Sequence, residues 1–189
     1  MIEQYSFGLE GPANANNNVI DIYKKWTAEE VRADLQSKRN EMVTVLQNIT
    51  HDFNKSSVIR SNNAFLGKEV YIVGRKRYDK RGGVGQHHYE SVFHADNFIE
   101  VFDKLKNNGY TIIAVDNIPE YNPKSYIDLV FPPKTAFVFG EENSGLDKEV
   151  IDMCDDMVYV RQYGSVRSLN VACAASVLMA EYSRRYRLE

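Results

Sequence analysis

Three polar blocks, widely separated along the chain, carry residue types that can do chemistry. The last is Gly164-Ser165-Val166-Arg167-Ser168-Leu169-Asn170-Val171, which places a glycine, hydroxyls and an amide ahead of an apolar helical stretch. The middle one, Phe139-Gly140-Glu141-Glu142-Asn143-Ser144-Gly145-Leu146, closes an apolar run and precedes another helical pattern. Each reads as a strand, a glycine-bearing turn and a helix start, a junction that aims backbone N–H groups at a small-molecule pocket. The first block, Asn54-Lys55-Ser56-Ser57-Val58-Ile59-Arg60, adds an amide and a guanidinium. Bland roles compete at every position. Gly140 suits any tight turn, Val160 and Leu169 suit a core, Asn54 and Ser168 suit helix caps, and Arg60 suits a solvated surface.

The elements that must position these blocks follow from periodicity. Residues 1–26 are polar and Asn-rich, and read as an arm ordered poorly or only by a partner. Thr27-Ala28-Glu29-Glu30 is a capping box opening a helix to about Lys38. Residues 42–46 form a buried strand. Asn54 or Ser56 caps the next helix, which runs through Phe65 and ends at Gly67. Residues 69–73 form a strand, 74–95 a long Gly-rich, basic, His-bearing loop. A helix capped by Asp96 carries Phe98, Val101, Phe102 and Leu105 on one face. Strands at 110–115, 135–139 and 157–160 alternate with a proline-bearing loop at 118–133 and a helix at 147–154. The last helix, from Ser168 to about Tyr186, is apolar nearly all round and needs cover on more than one side. Strands alternating with helices indicate an α/β fold, a mainly parallel sheet flanked by helices.

Charge is uneven. The net charge is −3 over 189 residues, yet Arg75, Lys76, Arg77, Lys80 and Arg81 crowd into seven positions. Such a run is either a solvated face or a phosphate-binding patch. Cys154 and Cys173 show no metal or disulfide spacing and read as reduced thiols. His87 and His88 are adjacent without a third ligand nearby, so no metal is expected. Absence of a leader pattern or a long apolar run points to a cytoplasmic protein with no membrane partner.

Taken in order, Asn54-x5-Arg60, then Phe139-Gly140-x-Glu142-x2-Gly145-Leu146, then Gly164-x3-Ser168-Leu169-Asn170-Val171 resemble the three motifs of the SpoU–TrmH family. These are RNA 2′-O-ribose methyltransferases of the SPOUT superfamily. The resemblance covers residues 42–186. It implies a deep trefoil knot at the C-terminal end, a homodimer, S-adenosylmethionine as methyl donor, and tRNA or rRNA as substrate. It divides the chain into an arm with a short helix at 1–41 and a methyltransferase domain at 42–189. Gly140, Val160, Gln162 and Leu169 then match donor-binding positions. Arg60, Asn54, Glu142, Ser168 and Asn170 match catalytic ones, and Arg60 with Arg75, Lys76, Arg77, Lys80 and Arg81 would contact RNA. Asp116 and Asn117 should form the remaining wall of the donor site but match no motif. Val160-Arg161-Gln162 departs from the Ile-Pro-Met common in the family.

The reaction implied is in-line transfer to a ribose 2′-oxygen, which needs positioning and removal of one proton. Arginine is a poor base, so Arg60 steers and polarises the hydroxyl rather than accepting its proton. A non-catalytic RNA-binding or ribosome-assembly module of the same fold is the alternative. A dinucleotide-binding oxidoreductase is disfavoured because no G-x-G-x-x-G follows the first strand.

Overall fold

The computed structural model describes residues 1–5, 18–83, 85–141 and 144–186. Among them lie, in chain order, β1 (Glu3–Gln4), α1 (Ala28–Lys38), β2 (Val43–Gln47), α2 (Asp52–Ala64), β3 (Glu69–Val73), β4 (Val92–Ala95), α3 (Phe98–Asn107), β5 (Thr111–Val115), β6 (Lys124–Ser125), β7 (Thr135–Phe139), α4 (Lys148–Met153), β8 (Asp156–Tyr159) and α5 (Val171–Tyr186). The strands form one sheet in the order β1-β4-β3-β2-β7-β5-β8-β6. Each pairing is parallel except that of β1 with β4. The α/β arrangement expected from alternating patterns is therefore present.

Strands β2 and β7 are buried along their whole length, as strands covered on both faces must be. The period of two sorts their side chains. Val43 and Val45 join Ala136 and Val138 on the face covered by Val101 and Leu105 of α3 and by Val150 and Ile151 of α4. Leu46 joins Phe137 and Phe139 on the opposite face, under Val58 and Ile59 of α2 and Ala175, Leu178 and Met179 of α5.

Helices α2 and α5 lie side by side. Asn170 Nδ2 donates to Asn54 Oδ1 at 3.2 Å, the Ser61 and Ser176 hydroxyls are 2.8 Å apart, and Ser183 Oγ donates to the Phe65 carbonyl at 3.3 Å. These pairs climb both helices together, so α2 and α5 run parallel with their N-termini at one end. On α5, Val171, Ala175, Leu178, Met179 and Tyr182 are buried, whereas Ala172, Ala174 and Val177 are half-buried and Cys173 is exposed. One side of this apolar helix is thus covered within the chain and the other is not.

Several expectations need correction. The first five residues are not a loose arm: β1 adds to the sheet edge, and Tyr5 N donates to the Val92 carbonyl at 2.9 Å. Residues 6–17 lie outside the described residues. The expected loop at 74–95 contains β4, a strand of the sheet, and two short 3-10 turns, Lys80–Gly83 and Gln86–His88. Helix α2 starts at Asp52, with His51 at the cap position and no side-chain cap, so Asn54 sits inside the first turn. Its Oδ1 accepts from Asn170 Nδ2 at the start of α5. Asn97 rather than Asp96 caps α3, and α5 begins at Val171 with Asn170 Oδ1 accepting from Ala172 N at 2.9 Å. Ser168 therefore does not cap it. The Thr27 capping box is present as expected. No helix among the described residues is long and apolar enough to cross a membrane.

One internal ion pair fixes the segment before β4. Arg39 Nη2 and Glu90 Oε1 are 2.8 Å apart with side chains 2% and 0% exposed. Asn62 and Asn63 of α2 donate to the same carboxylate at 2.8 Å each. The Arg39 Nη atoms also donate to the Gly67 and Tyr89 carbonyls, which offsets much of the cost of burying the charge, while its Nε has no partner among the described residues.

Candidate functional site

Parallel strands β7, β5 and β8 are neighbours, and a cleft of about 530 Å³ opens at their C-terminal ends. This is where ligands bind in open α/β sheets, and the volume suits a small molecule. The last residue of each strand and the one after it contribute lining: Phe139 and Gly140 for β7, Val115 and Asp116 for β5, Tyr159 and Val160 for β8. Gln162, Ser168 and Leu169 close the cleft from the segment that leads into α5. The second and third polar blocks of the sequence thus meet at one site, across the 17 residues 147–163 that separate them.

Gly140 is there because nothing larger fits. A Cβ at this position would lie 2.5 Å from the Leu146 backbone nitrogen and closer still to the Gly145 carbonyl. The backbones of residues 141 and 145 pair here, Gly145 N donating to the Glu141 carbonyl at 2.8 Å. Gly145 itself has φ +73°, and a Cβ on it would meet the Asp116 carboxylate. Asp116 braces two walls, its Oδ1 accepting from Asn117 N at 2.7 Å and Oδ2 from Leu146 N at 3.2 Å.

A nucleoside-bearing ligand fits these residues. Leu169, Val160 and Ile118 give apolar surface, and the buried Gln162 Oε1 has no hydrogen-bond partner among the described residues. An orphaned buried acceptor carries a desolvation cost that a donor on a bound ligand relieves. An exocyclic amino group is such a donor.

The remaining catalytic candidates divide. Ser168 lines the cleft, and Asn170 stands between it and α2 through the contact with Asn54. Arg60 is exposed on α2, outside the cleft lining, and makes no hydrogen bond or ion pair among the described residues. Glu142 lies outside the described residues.

A family model of the SpoU rRNA methylase family matches residues 41–180. The chain belongs to the SpoU methylase family. Among its relatives is the tRNA (guanosine(18)-2′-O)-methyltransferase of Borreliella burgdorferi, 27% identical over 89% of this chain and 79% of that protein. The TrmH/SpoU tRNA modifying enzyme of A. aeolicus superposes with a TM-score of 0.75 at 22% identity, covering 84% of this chain and 81% of its own. The SpoU methyltransferase AviRb from Streptomyces viridochromogenes, solved in complex with the cofactor AdoMet, gives 0.69 at 24% identity over 80% and 63% of the two chains. The chain spans 66 to 79% of the length of the first curated relatives it matches.

In this SpoU-family chain the basic residues lie apart from the 530 Å³ cleft, on the segment packed against the first turns of α2. Lys55 is 1% exposed, and its Nζ donates to the carbonyls of Arg75 and Arg77 at 2.8 and 2.7 Å. Burial lowers the Lys55 pKa, with Asp52 at 3.5 Å pulling the other way. Asp52 also faces Arg75 at 3.2 Å and Arg77 at 3.6 Å. Lys76 pairs with Glu3, and Arg81 with Asp79, whose carboxyl that guanidinium holds down to about 2. Sequence reasoning found the charges but missed what fixes them. It also missed Glu141, which accepts from Thr50 Oγ1 at 3.1 Å and from Ser144 N at 2.9 Å, tying the entry to α2 to the cleft.

Proposed function

We propose that this chain is an S-adenosylmethionine-dependent RNA methyltransferase acting on a ribose 2′-hydroxyl of tRNA or rRNA. The observation that carries the reading is the cleft at the ends of β7, β5 and β8, whose lining includes both a glycine required by close backbone approach and Gln162 with its orphaned acceptor, in a chain of this family. The named activity of the Borreliella burgdorferi relative favours tRNA. A deep C-terminal trefoil knot, a homodimer and a methyltransferase domain over 42–189 belong to the same reading. The half-covered apolar side of α5 supports the homodimer.

Bound in the cleft, the donor supplies an electrophilic sulfonium methyl group that leaves a neutral thioether when the 2′-oxygen takes the methyl carbon. Gly140, Val160 and Leu169 of the cleft lining would hold it, and Gln162 Oε1 would accept from its amino group. Arg60 neutralises the phosphate beside the target and stabilises the oxygen as its proton leaves to solvent or to that phosphate. Asn54, Glu142, Ser168 and Asn170 orient the cleft edge against the ribose. Arg60 acts either in its own subunit's site or across the dimer.

The test is incubation with labelled donor and total RNA, followed by nucleoside mass spectrometry. A 2′-O-methylated nucleoside is expected, together with loss of at least about a hundredfold in rate for Arg60→Ala and little change in RNA affinity. Methylation of a base, or no transfer to any RNA, overturns the reading. RNA binding without transfer supports the non-catalytic alternative.

A further inference from the structure

A second cleft, of about 360 Å³, opens on the other side of the α2 N-terminus, between Phe53 and the basic segment. Phe53 is 57% exposed, an uncommon position for a phenylalanine. Its ring edge seats against the bare backbone of Gly82, where a Cβ would come within 3.3 Å of Phe53 Cδ2. Around it stand Arg77, Lys80 and Arg81, with Asp52 and Asp79 between them.

The cationic side chains of Arg77 and Arg81 are 81% and 86% exposed, but the backbone that carries them is pinned. The Lys55 ammonium grips the carbonyls of residues 75 and 77, the Ser56 hydroxyl donates to the Asp79 carbonyl, and Asp79 N donates to the Asp52 carbonyl at 3.1 Å. Asp52, Lys55 and Ser56 of α2 thus hold the segment, while Phe53 stands exposed beside them. Asp52 and Asp79 are each already engaged by guanidinium groups. Each guanidinium has five donors, so Arg77 and Arg81 keep donors for a further anion.

We propose that this cleft is a subsite for one unpaired nucleotide of the RNA substrate, with its base stacked on Phe53 and its phosphate on Arg77, Lys80 and Arg81. The inference rests on the RNA methyltransferase reading and adds what that reading lacks, a contact to a base. An exposed ring beside fixed cations is the pairing by which proteins hold single strands, because every base has a π-face and every linkage a charge. A duplex keeps its bases stacked on one another and offers none to the ring. The subsite adjoins the donor cleft through one contact: Phe53 precedes Asn54, Leu169 precedes Asn170, and the two asparagines are hydrogen-bonded. A nucleotide bound here is a neighbour of the one being methylated.

The test compares a fluorescein-labelled decamer of oligouridylate with an abasic ribose-phosphate decamer of equal length and charge, by anisotropy at fixed salt. The intact protein should bind the base-bearing strand at least about fivefold more tightly, since stacking is worth about 1 kcal/mol or more per base and about 1.4 kcal/mol is tenfold. Phe53→Ala should abolish that preference and Phe53→Trp should keep it. Joint substitution of Lys80 and Arg81 by glutamine should weaken both strands alike. S-adenosylhomocysteine affinity within about twofold of the parent shows that Phe53→Ala remains folded. The proposal is overturned if the parent binds both strands equally, or if Phe53→Ala discriminates as the parent does. A protein that shows the preference but methylates no ribose keeps this subsite and loses the methyltransferase reading. One that methylates without it does the reverse.

Discussion

Gly140→Ala and Gly164→Ala place the same methyl group in two motif glycines and should behave oppositely. At 140 the added carbon would stand 2.5 Å from the Leu146 nitrogen, where 3.4 Å or more is ordinary contact, so backbone must move by about 0.9 Å. Neither neighbour is a flexible side-chain tip. The strain falls on the 141–145 turn, which Asp116 pins through Leu146 N at 3.2 Å, and on the cleft wall it forms. Overpacking of this kind costs about 1–3 kcal/mol. For a chain of this size that is a fall of about 2–12 °C in melting midpoint. The displaced wall should also weaken binding of S-adenosylhomocysteine at least tenfold, about 1.4 kcal/mol, by titration calorimetry. At 164 a Cβ meets nothing within 4 Å, so both quantities should stay near those of the parent. Donor affinity and melting unchanged in Gly140→Ala would refute the argument that backbone approach dictates this glycine. Equal losses at both positions would refute it too.

Two further perturbations probe what holds the surrounding frame. Glu90→Gln leaves the Arg39 guanidinium buried without its counter-charge and should cost about 3–5 kcal/mol in urea unfolding, whereas Arg39→Met with Glu90→Leu should recover most of it. His87 is pushed down from 6.5 to about 4, chiefly by burial and then by His88 and Lys80. The unfolded chain then binds a proton that the folded chain refuses, so stability falls as pH drops from about 6.5 to 4, by at most about 3 kcal/mol. His87→Asn should flatten that part of the stability–pH curve; an unchanged slope would show that other groups set it.

Local signals carried the fold a long way. The Thr27 box, the β-branched apolar run at 42–46 and the amphipathic face of Phe98, Val101 and Leu105 depend on near neighbours, and the structure has them within a residue or two. Where tertiary contacts decide, the sequence was silent or misleading. Val92-Phe93-His94-Ala95 is a short strand after a polar, Gly-rich stretch, and only its pairing with β3 and β1 makes it one. Asn54 and Ser168 both have capping chemistry, yet His51 occupies one cap and Asn170 the other. The choice follows from the Asn54–Asn170 bond, which no local pattern encodes. The order of the motif glycines pointed to the donor cleft, but Asp116, a loop carboxylate without a motif, braces it. Lys55 is harder still to foresee, because a buried lysine contradicts its type and is explained only by the two carbonyls it grips.

Helix α2 is the piece that relates the two clefts. Thr50 ties its entry to Glu141, and Asn54 ties its first turn to Asn170. Lys55 and Ser56 hold the basic segment from the buried side. Phe53 and Arg60 stand seven residues apart, two turns along one outward stripe, about 10 Å at 1.5 Å per residue. A strand bound along that stripe is therefore registered against the donor by a rigid helix and not by loops that can drift. This also bears on what Arg60 can do. The contribution proposed for it is positive charge, and a charge is only as useful as its placement. The hydrogen bonds that anchor α2 supply that placement. On the proposed reading, they are why the exposed stripe of this helix can present Phe53 and Arg60 to RNA in fixed positions.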